Sequence, residues 1–206
     1  MKAADLDAVT LDAHGTLVTL ADPVAALTSA LSERGVERSP EAVLAGFHAE
    51  VAHYAPRASE GHDQESLARL QRECVGVFLE EVDADLAPDE FVPAYIGALH
   101  FDVLPGVVAS LDRLRALGLE LAVVANWDLS LHRLLDEARL ARYFRVVVHA
   151  ARKPAPDGLL RALGHLQVDP GRALHIGDGV ADRDAAGAAG MRFARTPVPA
   201  ALAALR

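Results

Sequence analysis

Short apolar runs alternate with stretches of helical periodicity between residues 104 and 194, and a similar run stands near the start of the chain. The runs predict five strands, at residues 9–11, 121–125, 145–148, 173–176 and 192–194. Strands that alternate with helices are typical of a parallel sheet built from strand–helix–strand units. We therefore predict an α/β fold with a five-stranded parallel sheet, in which residues 9–11, each apolar or β-branched, form a strand covered on both faces.

Residues 20–100 interrupt this alternation with helical patterns only. A helix-capping residue, followed in two cases by proline, starts three of the four predicted helices, and these residues are Asp22, Ser39 and Asp63. The fourth helix contains Pro93. On the second helix we expect one inward face, formed by Val43, Leu44, Phe47 and Val51. The chain thus divides into a sheet-bearing unit, residues 1–19 and 101–206, and an all-helical insert, residues 20–100.

Composition limits the classes of partner. The formal net charge is -9, whereas a surface for nucleic acid or an anionic membrane requires a surplus of cations. An apolar content of 51% is ample for a packed core. The single cysteine, Cys74, forms no internal disulfide, and we find no run with the length of a membrane helix and no signal-peptide pattern. We expect a cytoplasmic protein that binds a small molecule, as a monomer or a homodimer.

Polar residues follow four of the predicted strands at their carboxyl ends. These residues are Asp12, Asn126, Lys153, Asp178 and Asp182. Ligands of open α/β sheets bind beyond the carboxyl ends of the strands. Carboxylates beside a lysine suit a divalent cation and a phosphoryl group, because hard cations take oxygen ligands and the lysine neutralises developing negative charge. The lysine is informative here because the sequence has only one other, Lys2.

Each of these residues alone also has an ordinary structural explanation. Asp12 and Gly15 are typical of a plain turn after a strand, Asn126 is a common turn residue, and Asp178 is suited to a helix N-cap. Lys153 fits a solvated loop equally well. Their joint occurrence at one predicted sheet edge favours the functional interpretation over four independent structural ones.

The motifs around these residues resemble those of the haloacid dehalogenase (HAD) superfamily over essentially the whole chain. Its first motif, an apolar strand, Asp, two residues and Gly-Thr, is similar to LDAHGTL at residues 11–17. Its second, a strand ending in Ser or Thr and often Asn, is similar to VVANWD, in which Ala125 replaces the hydroxyl residue. Its Lys-Pro pair and its Gly-Asp with a later Asp match Lys153-Pro154 and GDGVAD at residues 177–182. The resemblance implies a Rossmann-like core and a small helical (C1-type) cap that closes over the site.

The resemblance implies a hydrolase, and in particular a magnesium-dependent phosphatase acting on a small phosphorylated metabolite. Asp12 would attack phosphorus and form an aspartyl phosphate that water then hydrolyses. The resemblance assigns Mg²⁺ to Asp12, the backbone carbonyl of His14, and Asp178, while Asp182 would complete the metal site by orienting a bound water or the lysine.

The resemblance also implies which residues contact the substrate. Lys153 would act in catalysis by holding the phosphoryl oxygens together with Asn126. Thr16 of the first motif and Arg57, in the polar loop of the cap, are further expected substrate contacts.

Two departures from the family pattern affect the expected activity. His14 replaces the acid that protonates the leaving alkoxide, and two outcomes stay open: it acts as an acid, since histidine has an unperturbed pKa of about 6.5, or it points away. Ala125 is left with only its backbone N–H as a donor. Loss of one donor to a transition-state oxygen typically costs about 2.7 to 4 kcal/mol, so we expect impaired turnover.

Two other interpretations follow from the same departures. The 2-haloacid dehalogenases also lack the second acid, because a halide leaves without a proton. A catalytically degenerate domain that only binds a ligand or partner is the other alternative. The phosphonatase branch is excluded, because it needs a cap lysine and residues 20–100 contain none.

Overall fold

A computed structural model of the protein describes residues 5–203, so Lys2 lies outside the described residues. This part of the chain forms two compact units. The sheet unit runs to Thr19 and resumes at Asp102, and the helical unit extends from Leu20 to Phe101.

Strands and helices follow one another in the order that the sequence pattern predicts, with additions. The strands of the described chain are β1 (Ala8–Leu11), β2 (Val18–Leu20), β3 (Phe101–Val103), β4 (Glu120–Val124), β5 (Val146–Val148), β6 (Ala173–Gly177) and β7 (Arg192–Arg195). Its α-helices are α1 (Val24–Ser32), α2 (Pro40–Tyr54), α3 (Gln64–Glu81), α4 (Pro88–Ala98), α5 (Val107–Ala116), α6 (Leu131–Glu137), α7 (Asp157–Leu166), α8 (Val180–Ala188) and α9 (Val198–Ala203). None of these helices combines the length and the apolar character that a bilayer-spanning segment requires.

The predicted five-stranded parallel sheet is confirmed, with the strand order β5-β4-β1-β6-β7. All residues of the central strand β1 are inaccessible to solvent, as its uninterrupted run of apolar and β-branched residues predicts. Leu11 at the end of β1 is in register with Val123 of β4 and with Ile176 of β6. The residues that follow these three strands therefore lie at one edge of the sheet.

The helical unit contains the four predicted helices, α1 to α4. Ser39 caps α2, with its side chain accepting from the Ala42 N–H, and Asp63 forms a capping box with Ser66 at the start of α3. Of the four residues predicted for the inward face of α2, two are buried and two are exposed. Val43 and Phe47 are buried, but Leu44 and Val51 are 41% and 40% exposed.

The reason is the position of Gly46 on α2. A Cβ atom at Gly46 would overlap the Val82 side chain, so the helix approaches its neighbours most closely at a residue that has no side chain. The buried face of α2 therefore runs through Val43, Gly46, Phe47 and Glu50. A pattern of hydrophobic residues alone does not detect a face centred on glycine.

The lone cysteine lies inside the helical unit, on α3. Burial, and secondarily the neighbouring Glu50, raises the pKa of the Cys74 thiol to about 12. Because the thiolate is the reactive form of cysteine, Cys74 is a packing residue and not a nucleophile at neutral pH.

A two-stranded sheet formed by β2 and β3 was not predicted. Each of its strands is three residues long, too short for a periodic pattern. The pair contains both points at which the chain passes between the two units. Next to it, the Ala21 N–H donates to the His100 carbonyl at 2.8 Å, so this bond joins the two ends of the helical insert.

Candidate active site at the carboxyl edge of the sheet

Asp12 continues β1 into the turn that carries the site. Its backbone N–H donates to the Ile176 carbonyl at 2.9 Å, and the residue is buried. The turn that follows passes through Gly15, whose φ of +70° lies in the left-handed region that favours glycine. A Cβ atom at this position would also overlap the Asp178 carboxylate. Gly15 is therefore required both by the turn and by the close approach of a second acid.

Lys153 lies between two carboxylates. Its Nζ is 2.6 Å from Asp12 Oδ1 and 2.5 Å from Asp182 Oδ1, and its side chain is almost wholly buried. A buried ammonium is costly unless it is paired, and here two acids satisfy it. The structure thus brings together three residues that the sequence placed on three different strand ends.

Asn126 fixes the backbone of Lys153. Its Nδ2 donates to the Lys153 carbonyl at 2.8 Å, and its Oδ1 accepts from the Lys153 N–H at 2.7 Å. These two bonds leave the second N–H of the Asn126 amide, so a contact of Asn126 with phosphoryl oxygens stays a prediction. Asn126 also fixes the position of Lys153.

Ala125, at the position where the family has a hydroxyl residue, has no free backbone donor. Its N–H donates to the Val148 carbonyl at 3.0 Å, and its carbonyl accepts from the Ala151 N–H at 3.1 Å. The expectation that the Ala125 N–H is available to a ligand is therefore wrong, because the bonding between the β4 and β5 segments uses it.

Three carboxylates form the acidic part of the site. Asp12, Asp178 and Asp182 each offer an oxygen, and these oxygens all lie within 4.8 Å of one another. One ammonium, from Lys153, faces them. The local excess of negative charge and the all-oxygen donor set fit a hard divalent cation.

Burial and charge act differently on the acids of this site. Burial raises the pKa of Asp12, against the opposing charge of Lys153. Burial acts in the same direction on Asp182, but hydrogen bonds from His175 and Lys153 and the charge of the lysine outweigh it and hold the pKa of Asp182 far below its ordinary value. Asp182 is therefore the permanently ionised partner of the lysine.

His175 and Thr10 extend the site into the sheet, and neither was predicted as a site residue from the sequence. His175 Nε2 is 3.0 Å from Asp182 Oδ1, and its Nδ1 is 2.8 Å from Thr10 Oγ1. Both residues are fully buried, at 0% exposure, and they are paired in register between β1 and β6. A signal was present, since each is the polar interruption of an otherwise apolar strand.

Three further residues were predicted for the site, namely His14, Thr16 and Arg57. His14 is exposed in the turn after Asp12. The Thr16 hydroxyl is buried and has no hydrogen-bond partner among residues 5–203. Arg57 belongs to the helical unit, where its guanidinium lies 2.5 Å from Glu73 and 3.0 Å from Glu60. Because two carboxylates already match its charge, Arg57 is a weak candidate for binding a substrate phosphate.

The chain is similar to known hydrolases. A family model described as haloacid dehalogenase-like hydrolase matches residues 6–190. Phosphoglycolate phosphatase 1 of Pseudomonas aeruginosa is 38% identical over 125 residues, which cover 58% of this chain and 45% of that protein. A phosphoglycolate phosphatase of Pseudomonas savastanoi pv. phaseolicola is 32% identical over 194 residues, which cover 89% of this chain and 66% of that protein. The match thus spans less than two thirds of either relative's length.

The fold of the chain is also similar to that of a solved structure. The 2-haloacid dehalogenase from Pseudomonas syringae pv. tomato DC3000 superposes with a TM-score of 0.63 at 26% identity. The match covers 91% of this chain and 85% of that one.

Proposed function

Because the chain belongs to the haloacid dehalogenase-like hydrolases, as its motifs predicted, we propose that it is a magnesium-dependent phosphatase acting on a small phosphorylated metabolite. The observation that supports this most strongly is the placement of Asp12 against Lys153, at 2.6 Å, inside the carboxylate cluster. It provides a nucleophile, a cation for phosphoryl oxygens and metal ligands within one site. The likeness to two phosphoglycolate phosphatases points in the same direction.

The donor set fits Mg²⁺, which takes oxygen ligands and is commonly held by one or two carboxylates. In our proposal Asp12, Asp178 and the backbone carbonyl of His14 hold the ion. Asp182 supports the site by holding Lys153. When bound, the ion supplies positive charge opposite the phosphoryl oxygens and the Asp12 carboxylate.

The proposed reaction has two steps at Asp12. A carboxylate oxygen attacks phosphorus, forming an O–P bond while the bond to the leaving oxygen breaks, and the product is an aspartyl phosphate. Water then attacks phosphorus, which releases inorganic phosphate and restores the carboxylate. Lys153 favours the ionised form of Asp12 that the attack requires, and counters the effect of burial on its pKa.

In this reaction His14 occupies the place of the general acid. The leaving alkoxide needs a proton, and the attacking water must lose one. An exposed imidazole two residues after the nucleophile is chemically suited to both transfers. We propose that this exposed imidazole performs them less efficiently than a carboxylic acid held in the site.

The second candidate function is dehalogenation of a 2-haloacid by the same Asp12. His14 at the position of the second acid favours it, because a departing halide needs no proton, and the 2-haloacid dehalogenase likeness is consistent with it. Against it stands the carboxylate cluster, since three acids beside one ammonium repel an anionic substrate when no divalent cation is bound.

Magnesium should raise the melting temperature of the protein, because an ion that binds only the folded state stabilises it by mass action. At a magnesium concentration one hundred times the dissociation constant the gain is about 2.7 kcal/mol. Asp178→Ala should lose most of the shift, whereas Asp136→Ala, at an exposed position on α6, should keep it. The measurement is a thermal melt with and without magnesium, followed by assays of p-nitrophenyl phosphate hydrolysis and of halide release from 2-chloropropionate.

The outcomes separate the candidate functions. A shift lost in Asp178→Ala together with phosphate release supports the phosphatase. Halide release without a magnesium shift supports the dehalogenase, and a shift without either turnover supports a binding domain.

Ala125→Ser should raise kcat for phosphate esters, since it restores a hydroxyl where the backbone N–H is already used. The expected gain is up to the value of one transition-state donor, about 2.7 to 4 kcal/mol or on the order of 100- to 1,000-fold. Ala125→Gly, which adds no donor, is the matched control. Equal kcat values for Ala125→Ser and the wild type at saturating substrate would contradict a missing donor at this position.

A further inference from the structure

A chain of hydrogen bonds leads from the middle of the sheet to the nucleophile. Thr10 Oγ1 bonds His175 Nδ1, His175 Nε2 bonds Asp182 Oδ1, and Lys153 Nζ bonds both Asp182 and Asp12. Each link is between 2.5 and 3.0 Å long. The buried polar pair Thr10–His175 is thus continuous with the candidate active site.

The donors and acceptors of this chain determine the tautomer of His175. Burial lowers the pKa of the imidazole, which favours the neutral form. Asp182 carries only acceptors, so Nε2 bears the proton and donates it. Nδ1 is then an acceptor, and the Thr10 hydroxyl is its donor.

The Asp182 carboxylate is held on both oxygens. Oδ1 accepts from Lys153 and from His175, and Oδ2 accepts from the Gly179 N–H at 3.1 Å. A Cβ atom at Gly177 would overlap the same carboxyl group, so the backbone passes directly beneath it. Without the imidazole, Oδ1 keeps the lysine as its single donor, and the Gly179 N–H is the other bond that orients the carboxylate. The orientation of the carboxylate, and with it the position of the lysine, is then less fixed.

Fold stability alone gives no reason for this arrangement. A threonine and a histidine at 0% exposure lose their hydration, and an apolar pair of the same shape is often as stable or more stable. Within residues 5–203, the hydrogen bonds of these two side chains are to each other and to Asp182. We therefore look for the role of the pair in the positions of Asp182 and Lys153.

We propose that His175, fixed in its tautomer by Thr10, is a positioning residue that orients Asp182 and thereby keeps the Lys153 ammonium against Asp12. The orientation of Asp182 and Lys153 by His175 is inferred from the hydrogen-bond chain. The effect of this orientation on turnover rests on the proposed function. Outer residues of this kind typically change activity by about 10- to 100-fold when they are replaced.

The test compares two conservative changes at Thr10. Thr10→Val removes the hydroxyl and keeps the shape, whereas Thr10→Ser keeps the hydroxyl and removes a methyl group. For p-nitrophenyl phosphate at saturating magnesium, we expect kcat to fall about 10- to 100-fold in Thr10→Val with KM little changed, and to stay near the wild-type value in Thr10→Ser. His175→Leu should behave like Thr10→Val, and His175→Gln, which retains an N–H donor of similar reach, should recover part of the activity.

A second readout does not depend on turnover. The sequence has two lysines, Lys2 and Lys153, so protein labelled with ¹³C and ¹⁵N at the lysine side chain gives two ε-methylene signals. The Lys153 signal should shift or broaden in Thr10→Val and His175→Leu and stay in place in Thr10→Ser, with Lys2 as the internal reference.

The two readouts distinguish failure of this inference from failure of the proposed function. An inactive wild type with the expected Lys153 shifts would overturn the phosphatase and leave the positioning role standing. Folded Thr10→Val and His175→Leu proteins with an unchanged Lys153 signal and unchanged kcat would overturn the positioning role. A kcat loss that follows the melting temperature equally in Thr10→Ser and Thr10→Val would also overturn it.

Discussion

Asp12→Asn should abolish phosphate ester hydrolysis while the protein stays folded. The amide has nearly the shape of the carboxylate but forms no acyl phosphate, and loss of a covalent nucleophile reduces kcat on the order of 10⁴-fold or more. The fold should tolerate the change because Lys153 retains Asp182 as a partner at 2.5 Å. Burial already disfavours the charge of Asp12, as its raised pKa indicates. The measurements are kcat for p-nitrophenyl phosphate and the melting temperature.

A matched control is Asp22→Asn, which makes the same chemical change at an exposed residue before α1, where the side chain accepts from the Val24 N–H. It should leave kcat unchanged, because an asparagine amide oxygen can accept the same bond. An Asp12→Asn protein that retains wild-type turnover would rule out Asp12 as the nucleophile.

His14→Asp should raise the rate on alkyl phosphates far more than the rate on nitrophenyl phosphate. An alkoxide leaves only with a proton, so its rate depends on the general acid, whereas nitrophenolate leaves without one. General acid catalysis contributes about 100- to 10,000-fold, and a carboxylic acid at position 14 should restore part of that range. The measurement is the ratio of kcat/KM for an alkyl phosphate to that for p-nitrophenyl phosphate.

His14→Ala is the control that separates an impaired acid from a competent one. If the wild type already hydrolyses both esters equally well and His14→Ala loses only the alkyl activity, histidine is an efficient acid and the site is not impaired. If His14→Ala matches the wild type on both esters, the imidazole takes no part in proton transfer.

The meeting of Asp12, Lys153, Asp178 and Asp182 was predictable because it depends on strand direction. Parallel strands in register end at one edge, so residues that follow separate strands are brought to the same side of the sheet. The structure follows this rule, because Leu11 is in register with Val123 and with Ile176. The central strand was predictable for a related reason, since only a strand covered on both faces is apolar or β-branched throughout.

The roles of Asn126 and His175 were not predictable from local patterns. The partner of Asn126 depends on the path of the loop around Lys153, which no periodicity encodes. His175 looks like a core histidine until the register with Thr10 and the position of Asp182 in α8 are known. In both cases the side chain acts on a neighbouring group of the site, and that relation exists only after the strands have been assembled.

The two-stranded sheet of β2 and β3, a ribbon of two short strands, also affects how the helical insert can change in length. The hydrogen bond between Ala21 and His100, at 2.8 Å, means that the insert leaves and re-enters the ribbon at neighbouring points. The entropy of closing a loop grows only with the logarithm of its length, so each doubling of the insert between these points adds only about 0.6 kcal/mol. Insertions and deletions can therefore change the size of the helical insert between these two points. Such changes need not alter the order of the parallel strands or the acids at their ends.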